Sequence, residues 1–262
     1  MRFRTKSGLS IAYRSRGQGR TMVLLHPVGL CGAFWDGVAA ELENEFRIIT
    51  PDARGHGESD VPSEGFGHDE LSDDVADLIR AVGQAPTIVA GCSMGGMTAQ
   101  ALSVRAPELL AGVVIANTAH RRNDQGRATM EQRAQAALKG MPTTLQTTLT
   151  RWFDADLQVL RPDLVLKARD WLLEADPVVH CWSWRAIRDL NYAERLEKMT
   201  RPAMVIAGLR DQSTPVSAMK DLAATLPDCD YRELDTGHLA PLEQPQQFAA
   251  LLRAFANRVY AG

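Results

Sequence analysis

The amino-acid sequence predicts an α/β fold, in which a mostly parallel central sheet is flanked by helices and carries an inserted helical cap. Short apolar runs rich in Val and Ile recur along the chain, and helical patterns lie between them. Alternation of strands and helices is typical of a parallel sheet with right-handed crossovers. The alternation is interrupted once, between about residues 119 and 196, where the pattern is helical. With 262 residues, 45% of them apolar, the chain can bury one large core, so we expect a single domain.

The first element predicted is an antiparallel hairpin at one edge of the sheet. Residues 2–5 and 9–14 flank Ser7-Gly8, a small-residue pair typical of the turn between antiparallel strands. The next strands have continuous rather than alternating hydrophobicity, which indicates burial on both faces. The clearest helix covers residues 70–82, where apolar residues recur at steps of three and four. The buried strands are predicted at residues 22–25, 47–50, 87–90, 113–116 and 204–207, and a last strand at 231–234.

The segment that interrupts the alternation is predicted to form the cap. Four of the five tryptophans occur within it, and the core pattern returns at Arg201-Pro202, directly before another buried strand. We therefore expect one domain over residues 1–262, with its core at 1–118 and 197–262 and a helical cap at about 119–196.

Charge, apolar runs and cysteine content limit which partners, location and cysteine chemistry the chain is expected to have. The 29 basic and 32 acidic residues leave a formal net charge of −3 without a long run of one sign, which argues against nucleic-acid or membrane partners. The amino terminus has no apolar core of signal-peptide length, and no apolar run approaches a membrane span, so we expect a cytoplasmic protein. The four cysteines lack a C-x-x-C pair, which favours reduced thiols over a disulfide framework or a zinc site.

The strongest local signal is Gly91-Cys92-Ser93-Met94-Gly95-Gly96, which lies between a predicted buried strand and a helical run. In this context the pattern G-x-S-x-G forms a sharp turn that projects the serine hydroxyl above the sheet. Glycines are needed on both sides of the serine because the turn leaves no room for Cβ atoms. A glycine-rich turn without function is the alternative, and a phosphate-binding loop is a weaker one because its Lys is missing.

A serine at neutral pH is a poor nucleophile, so the motif requires a base and an acid that orients the base. Asp211 follows the strand predicted at residues 204–207, and His238 follows the strand at 231–234. A parallel sheet brings both to the edge where Ser93 lies, in the chain order Ser, Asp, His expected for such a fold. Taken alone, Asp211 would suit a surface turn and His238 a helix cap. Together the three predict a catalytic triad of nucleophile, orienting acid and general base.

A reaction through a tetrahedral oxyanion also needs amide donors that are fixed in advance. We predict the backbone N–H of Met94, directly after the nucleophile, and that of Val28, in the loop after the strand at residues 22–25. Pro27 has no N–H to donate, and Gly29 gives the turn its freedom. His26 is a second candidate for the base, although its place at the start of the loop favours a role in holding the backbone.

Five segments of the chain together resemble the α/β-hydrolase superfamily over essentially its whole length: residues 25–29, 51–59, 91–96, 208–215 and 237–245. The resemblance implies structural roles for Arg54 and His56. Within the superfamily, Ser93-Met94-Gly95-Gly96-Met97, Ala116-Asn117-Thr118-Ala119, the cap residues 133–140 and Arg151-Trp152-Phe153 resemble the 3-oxoadipate enol-lactonases of aromatic catabolism. The oxyanion loop departs from that subfamily, which tends to carry Ser or Asn before the loop glycine where this chain has His26-Pro27.

The triad and the resemblance together predict a serine hydrolase that cleaves a small lactone or carboxylic ester through an acyl-enzyme, most similar to an enol-lactonase. A broad carboxylesterase or a cofactor-free perhydrolase would use the same triad. A carbon–carbon bond hydrolase and a hydrolase-derived ligand receptor are further alternatives. The mechanism requires no metal or organic cofactor, and the sequence contains no ligand cluster for one.

The expected partner is a small ester or lactone, and a carboxylate on it would suit an arginine of the cap. The guanidinium fork matches a carboxylate in bidentate fashion. Arg133 and Trp152 are the cap residues that we expect to contact the substrate. A solvated helix face is the alternative for each arginine of the cap segment, namely Arg121, Arg122, Arg127, Arg133 and Arg151.

Overall fold

The strands form one eight-stranded sheet in the part of the chain that this computed structural model describes, residues 1–82 and 85–261. Gly83, Gln84 and Gly262, which belong to the predicted core segments, lie outside the described residues. The strands are β1 (Arg2–Arg4), β2 (Ser10–Arg16), β3 (Arg20–Leu25), β4 (Phe46–Pro51), β5 (Thr87–Cys92), β6 (Leu110–Ala116), β7 (Ala203–Gly208) and β8 (Cys229–Leu234). Their order across the sheet is β1-β2-β4-β3-β5-β6-β7-β8.

The direction of the strands confirms the predicted fold class. β1 and β2 form the expected antiparallel hairpin at one edge, with Phe3 opposite Ile11, and β2 pairs antiparallel with β4. The pairings that run from β4 through β3, β5, β6 and β7 to β8 are parallel. The carboxyl ends of these strands therefore meet along one edge of the sheet, where side chains distant in sequence can converge.

Burial of the strands follows their sequences. β3, β5 and β7 are buried along almost their whole length, as continuous Val- and Ile-rich runs predict. β8 is mostly half buried or exposed at the far edge, which agrees with its more polar sequence, CDYREL. The buried strands extend beyond the predicted bounds because residues such as Arg20 and Thr21 join the ladder through their backbone.

Helices cover the sheet and fill the segment between β6 and β7. α1 and α12 pack on each other and also contact β4 and β6, respectively, whereas α3 packs against α2 and on β3, β5 and β6. Two short 3-10 turns, Gly32–Trp35 and Pro107–Leu109, join neighbouring elements. The helices are α1 (Asp36–Leu42), α2 (His68–Val82), α3 (Met94–Arg105), α4 (Asp124–Ala137), α5 (Pro142–Trp152), α6 (Ala155–Leu160), α7 (Pro162–Glu174), α8 (Pro177–Arg188), α9 (Ala193–Leu196), α10 (Val216–Thr225), α11 (Ala240–Glu243) and α12 (Pro245–Ala261).

The helices α4 to α9 occupy the segment that we predicted to form a cap. α4 packs along α8, and α8 in turn contacts α3 of the core. Asp154 and Asp176 accept hydrogen bonds from the first free backbone N–H groups of α6 and α8, which explains where these helices begin. The bounds of the cap and the division into one domain stay predictions.

The cysteines are free thiols in the structure. Cys92 and Cys181 are buried, and Cys31 and Cys229 are partly buried. Burial raises the pKa of Cys92 well above its ordinary value, so this neighbour of Ser93 stays a neutral thiol. The described residues contain no group of three or more His, Cys, Asp or Glu side chains that could hold a metal ion. No helix within residues 1–82 and 85–261 is long and apolar enough to cross a membrane.

Candidate active site

Ser93 occupies the sharp turn between β5 and α3. Its backbone has φ 54° and ψ −117°, a positive-φ conformation that is strained for a residue with a side chain. A Cβ atom on Gly91 would lie 2.1 Å from the carbonyl oxygen of Gly95, and one on Gly95 would lie 2.1 Å from that of Leu25. The atoms in the way belong to the backbone and cannot swing aside, so the turn requires both glycines of the motif.

The structure brings Ser93, His238 and Asp211 together beyond the carboxyl ends of β5, β8 and β7. Nε2 of His238 lies 3.0 Å from Oγ of Ser93, and Nδ1 of His238 lies 2.8 Å from Oδ2 of Asp211. A carboxylate only accepts, so Nδ1 carries the imidazole proton and Nε2 can accept the proton of the hydroxyl. The side chains of His238 and Asp211 are 4% and 0% exposed, which keeps water from competing for these bonds.

Four donors hold the carboxylate of Asp211. Oδ1 accepts the backbone N–H groups of Ser213 at 2.7 Å and Thr214 at 2.9 Å. Oδ2 accepts Nδ2–H of Asn117 at 3.1 Å in addition to Nδ1–H of His238. These bonds fix which oxygen faces the histidine and therefore fix where Nδ1 of the imidazole lies.

Asn117 is a further residue of the site, one whose role the sequence did not predict. It directly follows β6 and has φ 48°, a left-handed conformation that Asn tolerates better than most residues. Its Nδ2 donates both to Asp211 and to the carbonyl oxygen of Gly237, at 3.2 Å. One side chain thus links the loop of the acid to the loop of the histidine. Its position directly after a predicted strand is the sequence feature that could have indicated a place at the same edge of the sheet.

The loop that carries His238 is fixed from two directions. Glu243 accepts the backbone N–H of Gly237 at 2.9 Å, and the carbonyl oxygen of Trp152 accepts that of His238 at 3.1 Å. Burial raises the pKa of Glu243 to about 7, although the Gly237 N–H and the charge of Arg210 act in the opposite direction. The indole of Trp152 stacks on the imidazole, with ring centroids 6.2 Å apart. The predicted contact of Trp152 with a substrate stays a prediction.

Val28 and Met94 lie in the loop after β3 and in the first turn of α3. Neither backbone N–H donates a hydrogen bond to another described residue. The two segments lie close together: a Cβ atom on Gly95 would lie 2.9 Å from the carbonyl oxygen of His26. Free backbone N–H groups that face a reacting carbonyl can stabilise its developing oxyanion. That Val28 and Met94 do so stays a prediction.

His26 uses both ring nitrogens to hold backbone. Its Nδ1–H donates to the carbonyl oxygen of Pro27 at 2.7 Å, and its Nε2 accepts the N–H of Ala53 at 2.9 Å. Burial lowers the pKa of His26, which keeps the ring neutral. Arg54, on the loop after β4, forms a buried ion pair with Asp74 of α2 at 2.7 Å. These residues support the loops around the site and leave His238 as the histidine that contacts Ser93.

Arg133 and Arg151 line a cavity of about 320 Å³ between α4, α5 and α8, together with Trp184 and five threonines. Their Cζ atoms lie 4.9 and 5.8 Å from the ring centroid of Trp184. Burial, together with repulsion from Arg151 and Arg122, lowers the pKa of Arg133 to about 9, and burial lowers that of Arg151 to about 10. No carboxylate of the described residues forms an ion pair with either guanidinium, although the charge of Asp211 acts on Arg151 and partly offsets the effect of burial on its pKa.

A mostly parallel sheet with a serine in the turn after a central strand, and an acid and a histidine beyond later strands, defines a class of proteins. The family model for the alpha/beta hydrolase fold matches residues 20–245, and the chain belongs to that family. The predicted similarity to enol-lactonases is confirmed as well. The 3-oxoadipate enol-lactonase 2 of Acinetobacter baylyi is 27% identical over 97% of this chain and 96% of its own length.

Solved structures extend the similarity through the cap segment. A thermophilic esterase from Thermogutta terrifontis, with malate bound, has a TM-score of 0.93 at 26% identity and covers 99% of both chains. The enol-lactonase from Burkholderia xenovorans LB400 has a TM-score of 0.91 at 26% identity, over 98% of this chain and 100% of its own.

Proposed function

We propose that this chain is a serine hydrolase that cleaves small carboxylic esters and lactones, with Ser93 as nucleophile, His238 as general base and Asp211 as orienting acid. The observation that carries the proposal is the line of hydrogen bonds from Ser93 to Asp211, at 3.0 and 2.8 Å. A hydroxyl, an imidazole and a carboxylate in this order activate the hydroxyl for attack on a carbonyl carbon. Similarity to an esterase and to enol-lactonases over the full chain supports the same reaction class.

Acylation begins when Oγ of Ser93 attacks the carbonyl carbon and Nε2 of His238 takes its proton. The backbone N–H groups of Val28 and Met94 hold the oxyanion, and Asp211 stabilises the imidazolium. The imidazolium then returns the proton to the leaving oxygen as the C–O bond breaks. In a lactone the leaving group stays tethered to the acyl chain, so the acyl-enzyme holds an opened ring.

Deacylation uses the same groups with water in place of the serine. His238 takes a proton from water as it attacks the acyl-enzyme, and then gives that proton to Oγ of Ser93 as the acid leaves. Hydrogen peroxide in place of water would release a peracid, which is the perhydrolase alternative. Each step uses side chains and backbone amides of this chain, with water as the second substrate.

The preferred substrate in this proposal is an enol-lactone that carries a carboxylate, bound by Arg133 and Arg151. Two guanidiniums that line one cavity without an ion pair to a carboxylate of the described residues suit an anionic ligand. Arg151 directly precedes Trp152, whose ring stacks on His238, and the charge of Asp211 acts on the guanidinium of Arg151, which supports a position near the triad. Malate, the ligand in the Thermogutta terrifontis esterase, has two carboxylates, which supports an anionic ligand here. We place the reaction in the cytoplasm, within the catabolism of aromatic compounds.

The experiment that tests the reaction class is a panel of lactones and simple esters, assayed with the wild type and with Ser93→Ala. The substitution should abolish turnover and leave the circular dichroism spectrum unchanged, because it removes one buried oxygen atom. Retention of most of the activity would refute Ser93 as nucleophile. An enzyme continues for many turnovers, whereas a hydrolase-derived receptor would stop after one stoichiometric burst. Peracid formation from acetate and hydrogen peroxide tests the perhydrolase alternative.

The carboxylate subsite is tested with Arg133→Met. The KM for a carboxylate-bearing lactone should rise about 10- to 100-fold, as expected for the loss of a charge-assisted hydrogen bond, while the KM for its methyl ester stays unchanged. Arg127→Met is the matched control on the same helix, because Arg127 pairs with Asp189 at 3.1 Å. Equal effects on the acid and on the methyl ester would exclude a carboxylate contact at Arg133.

A further inference from the structure

The end of α5 in the cap lies directly against the loop of His238. Trp152 is the last residue of α5 and exposes only 1% of its surface. Its carbonyl oxygen accepts the backbone N–H of His238 at 3.1 Å, and a Cβ atom on Gly237 would lie 2.7 Å from the same oxygen. The backbone on both sides of the Gly237–His238 peptide is therefore packed onto the end of a cap helix.

The indole ring of Trp152 adds a constraint on the imidazole itself. The two ring planes are inclined by only 21°, with centroids 6.2 Å apart. The hydrogen bonds to Ser93 and Asp211 fix His238 along the line that joins its two nitrogens. Rotation about that line is the remaining freedom of the ring, and a nearly parallel indole limits it on one face.

An ion pair connects the same cap segment to the loop of Asp211. Oδ2 of Asp154 lies 2.9 Å from Nε of Arg210. Asp154 follows Trp152 by two residues, and Arg210 directly precedes Asp211. Arg210 also donates to the carbonyl oxygen of Asp235 at 3.0 Å, in the strand end that leads to the histidine loop. Residues 152–154 therefore contact the loops of both the base and the acid.

We propose that Trp152 is a positioning residue, whose carbonyl and ring hold His238 in line between Ser93 and Asp211. The cap helix α5 thereby sets the geometry of the general base. This inference rests on the proposed hydrolase function. It differs from a substrate contact, because loss of a residue that binds substrate raises KM, whereas loss of a residue that holds the base lowers kcat.

The experiment compares the wild type with Trp152→Leu, which removes the ring and keeps the position apolar. It measures kcat and KM for p-nitrophenyl acetate, and the second-order rate of inactivation by phenylmethanesulfonyl fluoride, a small reagent that modifies histidine-activated serines. We expect kcat and the inactivation rate to fall together by about 10- to 100-fold, as for a slightly misplaced reacting group, with KM unchanged. Trp152→Phe keeps a flat ring and should recover most of both rates.

Trp182→Leu is the matched control, because this cap tryptophan on α8 packs against Phe66. It should leave both rates at the wild-type level. A rise in KM alone for Trp152→Leu, or an unchanged inactivation rate, would overturn the inference.

A second variant covers the case in which Trp152→Leu does not fold. Asp154→Asn keeps an oxygen that can accept the N–H of Leu157, which Asp154 accepts at 2.8 Å, and removes the charge that faces Arg210. Both rates should then fall by about threefold at unchanged KM, as expected for a partly exposed ion pair, and wild-type rates would overturn the inference. A wild type that neither hydrolyses the ester nor reacts with the sulfonyl fluoride would refute the proposed function and this inference together.

Discussion

Replacing Asp211 by Asn is predicted to lower kcat by about 10⁴-fold without loss of the fold. The substitution keeps the shape of the side chain and exchanges one oxygen for an NH₂ group. The backbone N–H groups of Ser213 and Thr214 both point at Oδ1, at 2.7 and 2.9 Å, so the amide oxygen must take that place. The NH₂ group then faces Nδ1 of His238.

An NH₂ donor opposite Nδ1 reverses the position of the imidazole proton. Nδ1 of His238 becomes an acceptor, Nε2 keeps the proton, and Nε2 cannot take a proton from Ser93. The opposite orientation would leave two backbone N–H groups without an acceptor, at about 1–3 kcal/mol each. A loss of 10⁴ in kcat corresponds to about 5 kcal/mol of transition-state stabilisation. The NH₂ group of Asn117 lies 3.1 Å from Oδ2 of Asp211, so it would face the new NH₂ group as a second donor.

The assay is the release of p-nitrophenolate from p-nitrophenyl acetate, with circular dichroism as the check on folding. Asp124→Asn is the control, because it makes the same chemical change at an exposed carboxylate at the start of α4, away from the triad loops. This control should keep wild-type activity. If Asp211→Asn retained more than about a tenth of the wild-type kcat, another group would have to orient the histidine.

Two further predictions concern stability. Gly95→Ala should lower the free energy of unfolding by at least about 3 kcal/mol in urea titrations, because its Cβ would lie 2.1 Å from the carbonyl oxygen of Leu25. Gly67→Ala is the control, since its Cβ would meet only the flexible end of Glu70 at 3.3 Å; equal effects would contradict the prediction. The folded pKa of Glu243, about 7, lies above the ordinary 4.5, so the folded protein holds an extra proton between these values. Its stability therefore falls as pH rises through that window, by at most about 3 kcal/mol. Glu243→Gln removes this dependence, so its stability relative to the wild type should increase from about pH 5 to pH 8. A difference in stability between Glu243→Gln and the wild type that does not change with pH would contradict the raised pKa of Glu243.

The features that the sequence predicted well are those in which the physical requirement selects particular residue types. Burial on both faces selects continuous Val and Ile runs, so the parallel strands could be predicted. The turn around Ser93 selects glycine at 91 and 95, because any Cβ there would strike backbone. The order of the predicted strands then placed Asp211 and His238 at the same edge, where the structure has them.

The contacts that the sequence did not predict depend on which elements lie side by side. Asn117 and Asp211 are 94 residues apart and meet because β6 and β7 are neighbours, which hydrophobic patterns do not specify. Trp152 meets His238 because α5 ends above the histidine loop, and helical periodicity does not determine how a cap docks. Arg133 was predicted from its chemistry, whereas its pairing with Arg151 around one cavity required the structure.

In the proposed reaction, Ser93 forms a covalent acyl-enzyme after His238 has taken its proton. Rapid acid quenching during the turnover of p-nitrophenyl acetate, followed by peptide mass spectrometry, tests this claim directly. We predict one acetyl group on the peptide that contains Ser93 in the wild type, and none in Ser93→Ala. An acetyl group on another residue, or sustained hydrolysis by the Ser93→Ala variant, would contradict the account.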